Sequence, residues 1–293
     1  MRAAIAVAAL LGLTACSAAS APVREPTGDS VLLARQLTDI ERRSGGRLGV
    51  AVTDTTGRLL FGHRADERFA MCSTFKLLLA GQVLRGAASG GLPLRTPLPL
   101  TRADLLPHSP YSETQVAVGE LSLGAAAEHS VRISDNAAAN LILKATGGPA
   151  SFTQHMRAMG DAVTRLDRTE PELNENVPGD ARDTTSPAAM AKSGAMLVYG
   201  DHLTADDRRT LRGWLIGSGT GRARLRAGLP PAWIAGDKTG SCGTAYNDVA
   251  FVEAPDGNKY MIAAYLDRPT VNGDAADAIL ADVARAIVEN PFD

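Results

Sequence analysis

Two groups of strand-like segments, far apart in the chain, constrain its fold more than any other feature. Near the start, "RLGVAVTDTTGRLLFGHR" alternates like two strands joined at Thr56-Gly57. Far downstream, "AWIAGDKTGSC" and "NDVAFVEAPDGNKYMIAAYLD", the latter with a Pro-Asp-Gly-Asn turn, read as three further antiparallel strands. A two-stranded hairpin is not stable alone in water, so the early pair requires the late strands. The Ala- and Leu-rich stretch between them reads as mostly helical. "DSVLLARQLTDIERRSGG" predicts a helix stopped at Gly45-Gly46, and the chain ends in a helix over roughly Asp274 to Glu289. The expected fold is α+β, an α/β sandwich: a five-stranded antiparallel sheet flanked by helices, with an inserted all-helical domain. Residues 28–69 plus 215–293 are assigned to the α/β domain and 70–214 to the helical domain. A site belongs in the cleft between them.

The first segment, "MRAAIAVAALLGLTACSAAS", has Arg2, an apolar run and then small residues, which reads as an export signal over 1–21. "LTAC" suits a lipoprotein leader with Cys16 lipidated, and "SAASA" suits ordinary cleavage; both imply a protein that is exported to the periplasm or anchored to the bacterial envelope. In that compartment disulfides persist, and Cys72 and Cys242 are the cysteines outside the leader. The five histidines are scattered without zinc-site spacing, so no metal or other cofactor is expected. A net charge of -2 and 4% aromatics supply neither a basic stripe nor stacking platforms, so no nucleic-acid partner is expected.

Four short patterns carry chemistry, each weak alone. In Ser73-Thr74-Phe75-Lys76, helical spacing puts the Lys76 amine beside the Ser73 hydroxyl, and a desolvated lysine can take a serine's proton; Ser and Lys also meet this way by accident in many helices. Ser134-Asp135-Asn136 can be a helix N-cap, or a hydroxyl and an amide facing a ligand, or both. "RTEPELN", followed by "VPGDARDTTSP", is a long loop in which Glu170 and Asn174 can hold one water, with Arg168 and Asp183 able to pin the loop's ends. A solvated acidic loop is the plainer alternative. In Lys238-Thr239-Gly240-Ser241, an ammonium and hydroxyls along a strand make an anion grip, and Gly240 removes a side chain where something must approach the backbone.

In this order, after an export signal, the four patterns resemble the class A serine β-lactamases over essentially the whole mature chain; "RTEPELN" with "DARDTTSP" is the most specific part. That family's fold is the serine β-lactamase/D,D-peptidase one, in agreement with the pattern reading. The resemblance implies that Ser73 is acylated by the lactam carbonyl, with the oxyanion between the backbone N–H groups of Ser73 and Ser241. It implies that Lys76, Glu170 or both take the serine's proton, and that Ser134 passes a proton to the lactam nitrogen beside Lys238. Asn136 would hold the substrate's side-chain amide, Thr239 and Ser241 its carboxylate, and Glu170 with Asn174 the deacylating water.

The departures are informative. "CGTAYNDVAFV" is short and lacks the arginine that many members carry there; by interval from Lys238, Arg224 matches an alternative arginine, while Arg222 and Arg226 flank it. His108 precedes "SP" where the family often has an aromatic at the cleft mouth. Cys72 resembles a half-cystine of the carbapenem-hydrolysing subset, which would bridge to Cys242. The implied partner is a small-molecule β-lactam, and a monomer is expected. A D,D-peptidase or a β-lactam sensor that stays acylated shares the serine, lysine and strand motifs but lacks the Glu170–Asn174 loop.

Overall fold

A computed structural model describes residues 28–292; the leader over 1–21, with Cys16, lies outside the described residues. The early hairpin, β1 (Arg47–Thr53) and β2 (Leu59–His63), joins three late strands, β3 (Ile234–Ser241), β4 (Ala245–Glu253) and β5 (Lys259–Asp267). Together they form one five-stranded sheet in the order β2-β1-β5-β4-β3, antiparallel throughout. β5, the last strand made, is the middle one, and pairs with β1 from Arg47–Asp267 to Thr53–Met261. The sheet therefore closes only when the ends of the chain meet. β3 is left as an edge.

Strand alternation divides the core into two layers. Val50, Val52, Ile262 and Ala264 face helix α1 (Gly28–Ser44) and the final helix α9 (Gly273–Glu289) through Leu33, Leu37, Leu280 and Val283. Ala51, Ala263 and Tyr265 face the other way, into a cluster shared with the helices of the middle of the chain. These are α2 (Phe75–Ala88), α3 (Pro110–Gln115), α4 (Leu123–Arg132), α5 (Asn136–Thr146), α6 (Gly148–Ala158), α7 (Pro187–Val198) and α8 (Ala205–Ile216). From within the 70–214 stretch, α7 packs on β1 and β5, and α8 on β3.

α2 is buried nearly all round, from Phe75 through Ala80, as the central helix. Its only charge there, Lys76, is buried too. The helix ends are defined by side chains: Ser122, Asp135, Ser186 and Thr204 each accept from a backbone N–H in the first turn of α4, α5, α7 and α8.

A disulfide joins Cys72, just before α2, to Cys242, just past β3, across a sequence separation of 170. It links the start of the helical segment to the sheet edge. Closing so long a loop restricts the unfolded chain, and replacing both cysteines by serine should lower the unfolding free energy by about 2–4 kcal/mol in urea denaturation. Equal midpoints for the parent and the double variant would contradict this.

Candidate active site

The site lies where α2, the α4–α5 junction, the loop over 165–185 and the edge strand β3 converge. Ser73 sits in a single 3-10 turn, Cys72–Thr74, that runs directly into α2. Cys72 has φ +45°, a left-handed conformation that side chains disfavour. It is held there by the disulfide and by the Asn247 amide, which donates to Ala70 O at 2.9 Å and Met71 O at 3.2 Å. A Cβ on Gly240 would fall 2.7 Å from Met71 O, so this glycine is what lets the serine turn lie against β3.

Lys76, one helical turn on, has no exposed side-chain surface. Its ammonium donates to Ser73 Oγ at 3.1 Å, Ser134 O at 3.0 Å and Asn136 Oδ1 at 2.5 Å, and pairs with Glu170 Oε1 at 3.0 Å. Burial lowers its pKa below that of an ordinary lysine, opposed by the Glu170 carboxylate. Ser73 Oγ lies 3.5 Å from the same Glu170 oxygen. The hydroxyl is thus within reach of an amine and a carboxylate at once, a geometry in which either can take its proton.

Asp135 is the N-cap of α5 and accepts from Ala138 N, Tyr111 N, Ser112 N and Ser112 Oγ at 2.8–3.0 Å. That hub fixes the turn in which Ser134 takes φ +61°. The Ser134 hydroxyl accepts from Lys238 Nζ at 3.1 Å and Lys76 Nζ at 3.4 Å. Burial, and then the Lys76 charge, push the Lys238 pKa well below the ordinary lysine value. One hydroxyl between two such amines can relay a proton.

The loop is pinned at its ends by Arg168 Nε on Asp183 Oδ2 at 2.6 Å, and the same carboxylate accepts from the Asp167 and Arg168 backbone. Its short 3-10 turn, Glu172–Asn174, carries the Asn174 amide to 2.5 Å from Glu170 Oε2. Asn140 of α5 donates to Glu170 O at 2.7 Å and accepts from Glu170 N at 2.9 Å, clamping the backbone that presents the carboxylate.

Along β3, the Thr239 hydroxyl donates to Thr220 Oγ1 at 2.7 Å, and Ser241 Oγ accepts from Arg224 at 2.7 Å. Arg224 is only 7% exposed. It is locked by Asp277 Oδ1, Gly240 O and Asn247 O at 2.7–3.1 Å, so its charge supports the strand from behind. Arg226 instead pairs with Asp237 at 2.6 Å, and Arg222 is exposed. His108 is exposed at the rim, its Nε2 at 2.8 Å from Ile133 O. The Asn136 amide nitrogen donates to Pro107 O at 2.8 Å, so a ligand at this amide shares a donor already engaged.

Ser73, Lys76, Ser134, Asn136, Glu170, Asn174 and Lys238 therefore form one connected network, with Thr239 and Ser241 further along β3, Arg224 behind that strand and His108 outside the network. Three contributors carry no sequence signal: Asn140, Asn247 and Thr220. Each acts on a partner distant in the chain. Only the position of Asn140, one turn after Asn136 on the same helix, could have drawn attention to it.

The chain matches the Beta-lactamase enzyme family over residues 32–290. It is 39% identical to Beta-lactamase AST-1 of Nocardia asteroides, covering 99% of this chain and 94% of that protein. It is 43% identical to the Carbapenem-hydrolyzing beta-lactamase KPC of Klebsiella oxytoca, with 88% of each covered. Among solved structures, an ancestral (GNCA) class A β-lactamase superimposes with a TM-score of 0.85 at 48% identity, over 88% of this chain and 99% of that one.

Because Asn140 satisfies both backbone groups of Glu170, Asn140→Ala should lower the unfolding free energy by about 2 kcal/mol, and Asn140→Asp, which keeps the acceptor, by about half of that. Urea denaturation checks this, and two variants indistinguishable from the parent would contradict it.

Proposed function

The chain belongs to the Beta-lactamase enzyme family and is a class A serine β-lactamase, and on that premise we propose that it opens the β-lactam ring through an acyl-enzyme on Ser73. The observation that carries the reading is the shared reach of Lys76 Nζ, at 3.1 Å, and Glu170 Oε1, at 3.5 Å, on the Ser73 hydroxyl. Ser73 Oγ attacks the lactam carbonyl carbon while its proton passes to Lys76 or Glu170. The oxyanion is held by the backbone N–H groups of Ser73 and Ser241, donors that matter by about 3 kcal/mol each in such sites. As the C–N bond breaks, Ser134 gives its proton to the nitrogen and is resupplied from Lys76 or Lys238, both within 3.4 Å of its hydroxyl. Asn136 orients the substrate's side-chain amide; Thr239, Ser241 and the buried Lys238 hold its carboxylate, with Arg224 behind them.

Water positioned by Glu170 and Asn174 then cuts the ester. This step separates turnover from permanent acylation, and so separates a β-lactamase from a sensor or a D,D-peptidase. Carbapenems fall within the proposed substrate range alongside penicillins and cephalosporins: the Cys72–Cys242 bridge fixes the two oxyanion donors relative to one another, and the relative from Klebsiella oxytoca is named for that activity. The Arg2, apolar-run and small-residue leader supports export to the periplasm or, through Cys16, attachment to the envelope. In a bacterium the result is antibiotic resistance.

The reading is tested with Glu170→Ala, which should trap Ser73 as the penicilloyl ester, seen as a persistent mass increase, while the parent turns over a chromogenic cephalosporin continuously. Rapid return of the variant to free enzyme would reject the assigned role of Glu170, and a stoichiometric burst without turnover in the parent would indicate a sensor.

The lowered pKa of Lys238 sets a second expectation. A lysine carries its charge only below its pKa, so the substrate's carboxylate is held at low pH and released as pH rises through the lowered value. The alkaline fall of kcat/KM should therefore come earlier than an ordinary lysine allows. Lys238→Arg, which stays charged, should move that fall to higher pH even if the maximum drops about tenfold. An unmoved alkaline limb would show that another group controls it.

A further inference from the structure

The turn between β3 and β4, Cys242–Gly243–Thr244, is fastened to two different parts of the site. Cys242 is bonded to Cys72, the neighbour of Ser73. Thr244 Oγ1 accepts from the side-chain amide of Asn176 at 3.1 Å, and Asn176 lies just beyond Asn174 in the loop. The same amide donates to Asp267 Oδ1 at 2.7 Å, at the end of β5. Arg268 closes the arrangement from the sheet side: its backbone N–H donates to Thr244 O at 2.7 Å and its guanidinium to Asn176 O at 2.6 Å. Arg268 takes φ +49° to do so.

Two other loop anchors do something different, and the loop's last residues are bonded to the segment before the serine, with Met71 N on Asp183 O at 3.0 Å. The Arg168–Asp183 pair joins the loop's two ends to each other, and Asn140 ties the Glu170 backbone to the helical side. Asn176 is the residue that sets the loop against the sheet, through a turn that is itself covalently tied to the nucleophile's segment.

We propose that Asn176 and Thr244 are positioning residues which, with the Cys72–Cys242 bridge, set the distance between the Glu170–Asn174 pair and the acylated Ser73, and thereby govern deacylation more than acylation. This rests on the acyl-enzyme reading above. Acylation uses Ser73, in the 3-10 turn Cys72–Thr74, and Lys76, at the start of α2, and neither Asn176 nor Thr244 bonds to these two residues. Deacylation needs the loop. A water oxygen attacks the ester carbonyl carbon as its proton passes to Glu170; the carbon–Oγ bond then breaks, and Ser73 Oγ recovers that proton. Sub-ångström placement of the water decides the rate of that attack.

The experiment measures acylation and deacylation rate constants separately, by stopped-flow and by mass of the acyl-enzyme, with a penicillin on the full chain. Thr244→Val removes the hydroxyl at constant shape and Thr244→Ser retains it, while Asn176→Ala removes the clamp from the other side. Thr244→Val and Asn176→Ala should slow deacylation about tenfold with acylation changed by less than about twofold, and acyl-enzyme should accumulate; Thr244→Ser should restore the parent rate. The proposal is overturned if Thr244→Val matches Thr244→Ser, or if both rate constants fall together. If Thr244→Val does not fold, Asn176→Ala decides alone. Failure of the parent reading shows elsewhere, as absence of any acyl mass on Ser73 in Glu170→Ala.

Discussion

The ammonium of Lys76 is the point on which the site's assembly depends. A cation with no exposed surface is costly unless nearby oxygens replace the water it has lost. Those oxygens come from separate parts of the chain: Ser73 on the 3-10 turn before α2, Ser134 and Asn136 at the α4–α5 junction, and Glu170 on the loop. Misplacing any of them leaves a buried charge short of a partner, so α2, the junction and the loop must settle together. The same burial lowers the pKa of the amine, which favours the neutral form that can take a proton. Stability and reactivity thus meet in one set of contacts, and removing the Glu170 carboxylate disturbs both.

A second charged centre underlies β3. Asp237 and Asp248 are buried on neighbouring strands at diagonal positions of the ladder, where Asp237 opposes Ala250 and Thr239 opposes Asp248. Burial raises the pKa of both carboxyls, and for Asp248 the Asp237 charge raises it further. Lys238, Arg224 and Arg226 share the region, with Arg226 on Asp237 at 2.6 Å. Two buried carboxyls and three cationic side chains thus share one region beside the strand edge. The arrangement is tight: a Cβ on Gly221 would fall 1.4 Å from the Asp237 carboxylate, which restricts that position to glycine.

The five strands, the two terminal helices and the long loop were legible because each leaves a local signature: period-two apolar runs, a Gly45-Gly46 stop, a Pro- and Asp-rich interval. Asp135 is a similar case. A cap is a local structure, and of the three residues that can form one Asp135 does so, while Ser134 and Asn136 turn toward Lys76. The Arg168–Asp183 pair also follows from charges bracketing a loop. Asn140, Asn247 and Thr220 were not legible, because a side chain that bonds a distant backbone group leaves no periodicity or spacing of its own. Arg224 was found only by its interval from Lys238, and no pattern says that its guanidinium would lie behind the strand, on Gly240 O and Asn247 O. The clamp of Asn176 on Thr244 depends on a turn whose shortness was visible but whose partner was not.

Where the chain must aim functional groups inward, the backbone takes left-handed angles at residues that are not glycine: Cys72, Ser134 and Asp183 at φ +45°, +61° and +57°. Each such position costs on the order of 1–3 kcal/mol and persists only if its surroundings allow no easier alternative. The restraints differ in kind. Cys72 is held by a covalent bond and the Asn247 amide, Ser134 by the saturated Asp135 cap that follows it, and Asp183 by its own ion pair and two backbone donors. Each restraint acts within two residues of the strained one, so the strain is confined beside the group it positions. The nucleophile, the relay hydroxyl and the loop that carries the carboxylate are accordingly each set by a separate local anchor. Lys76 joins their three side chains into one site.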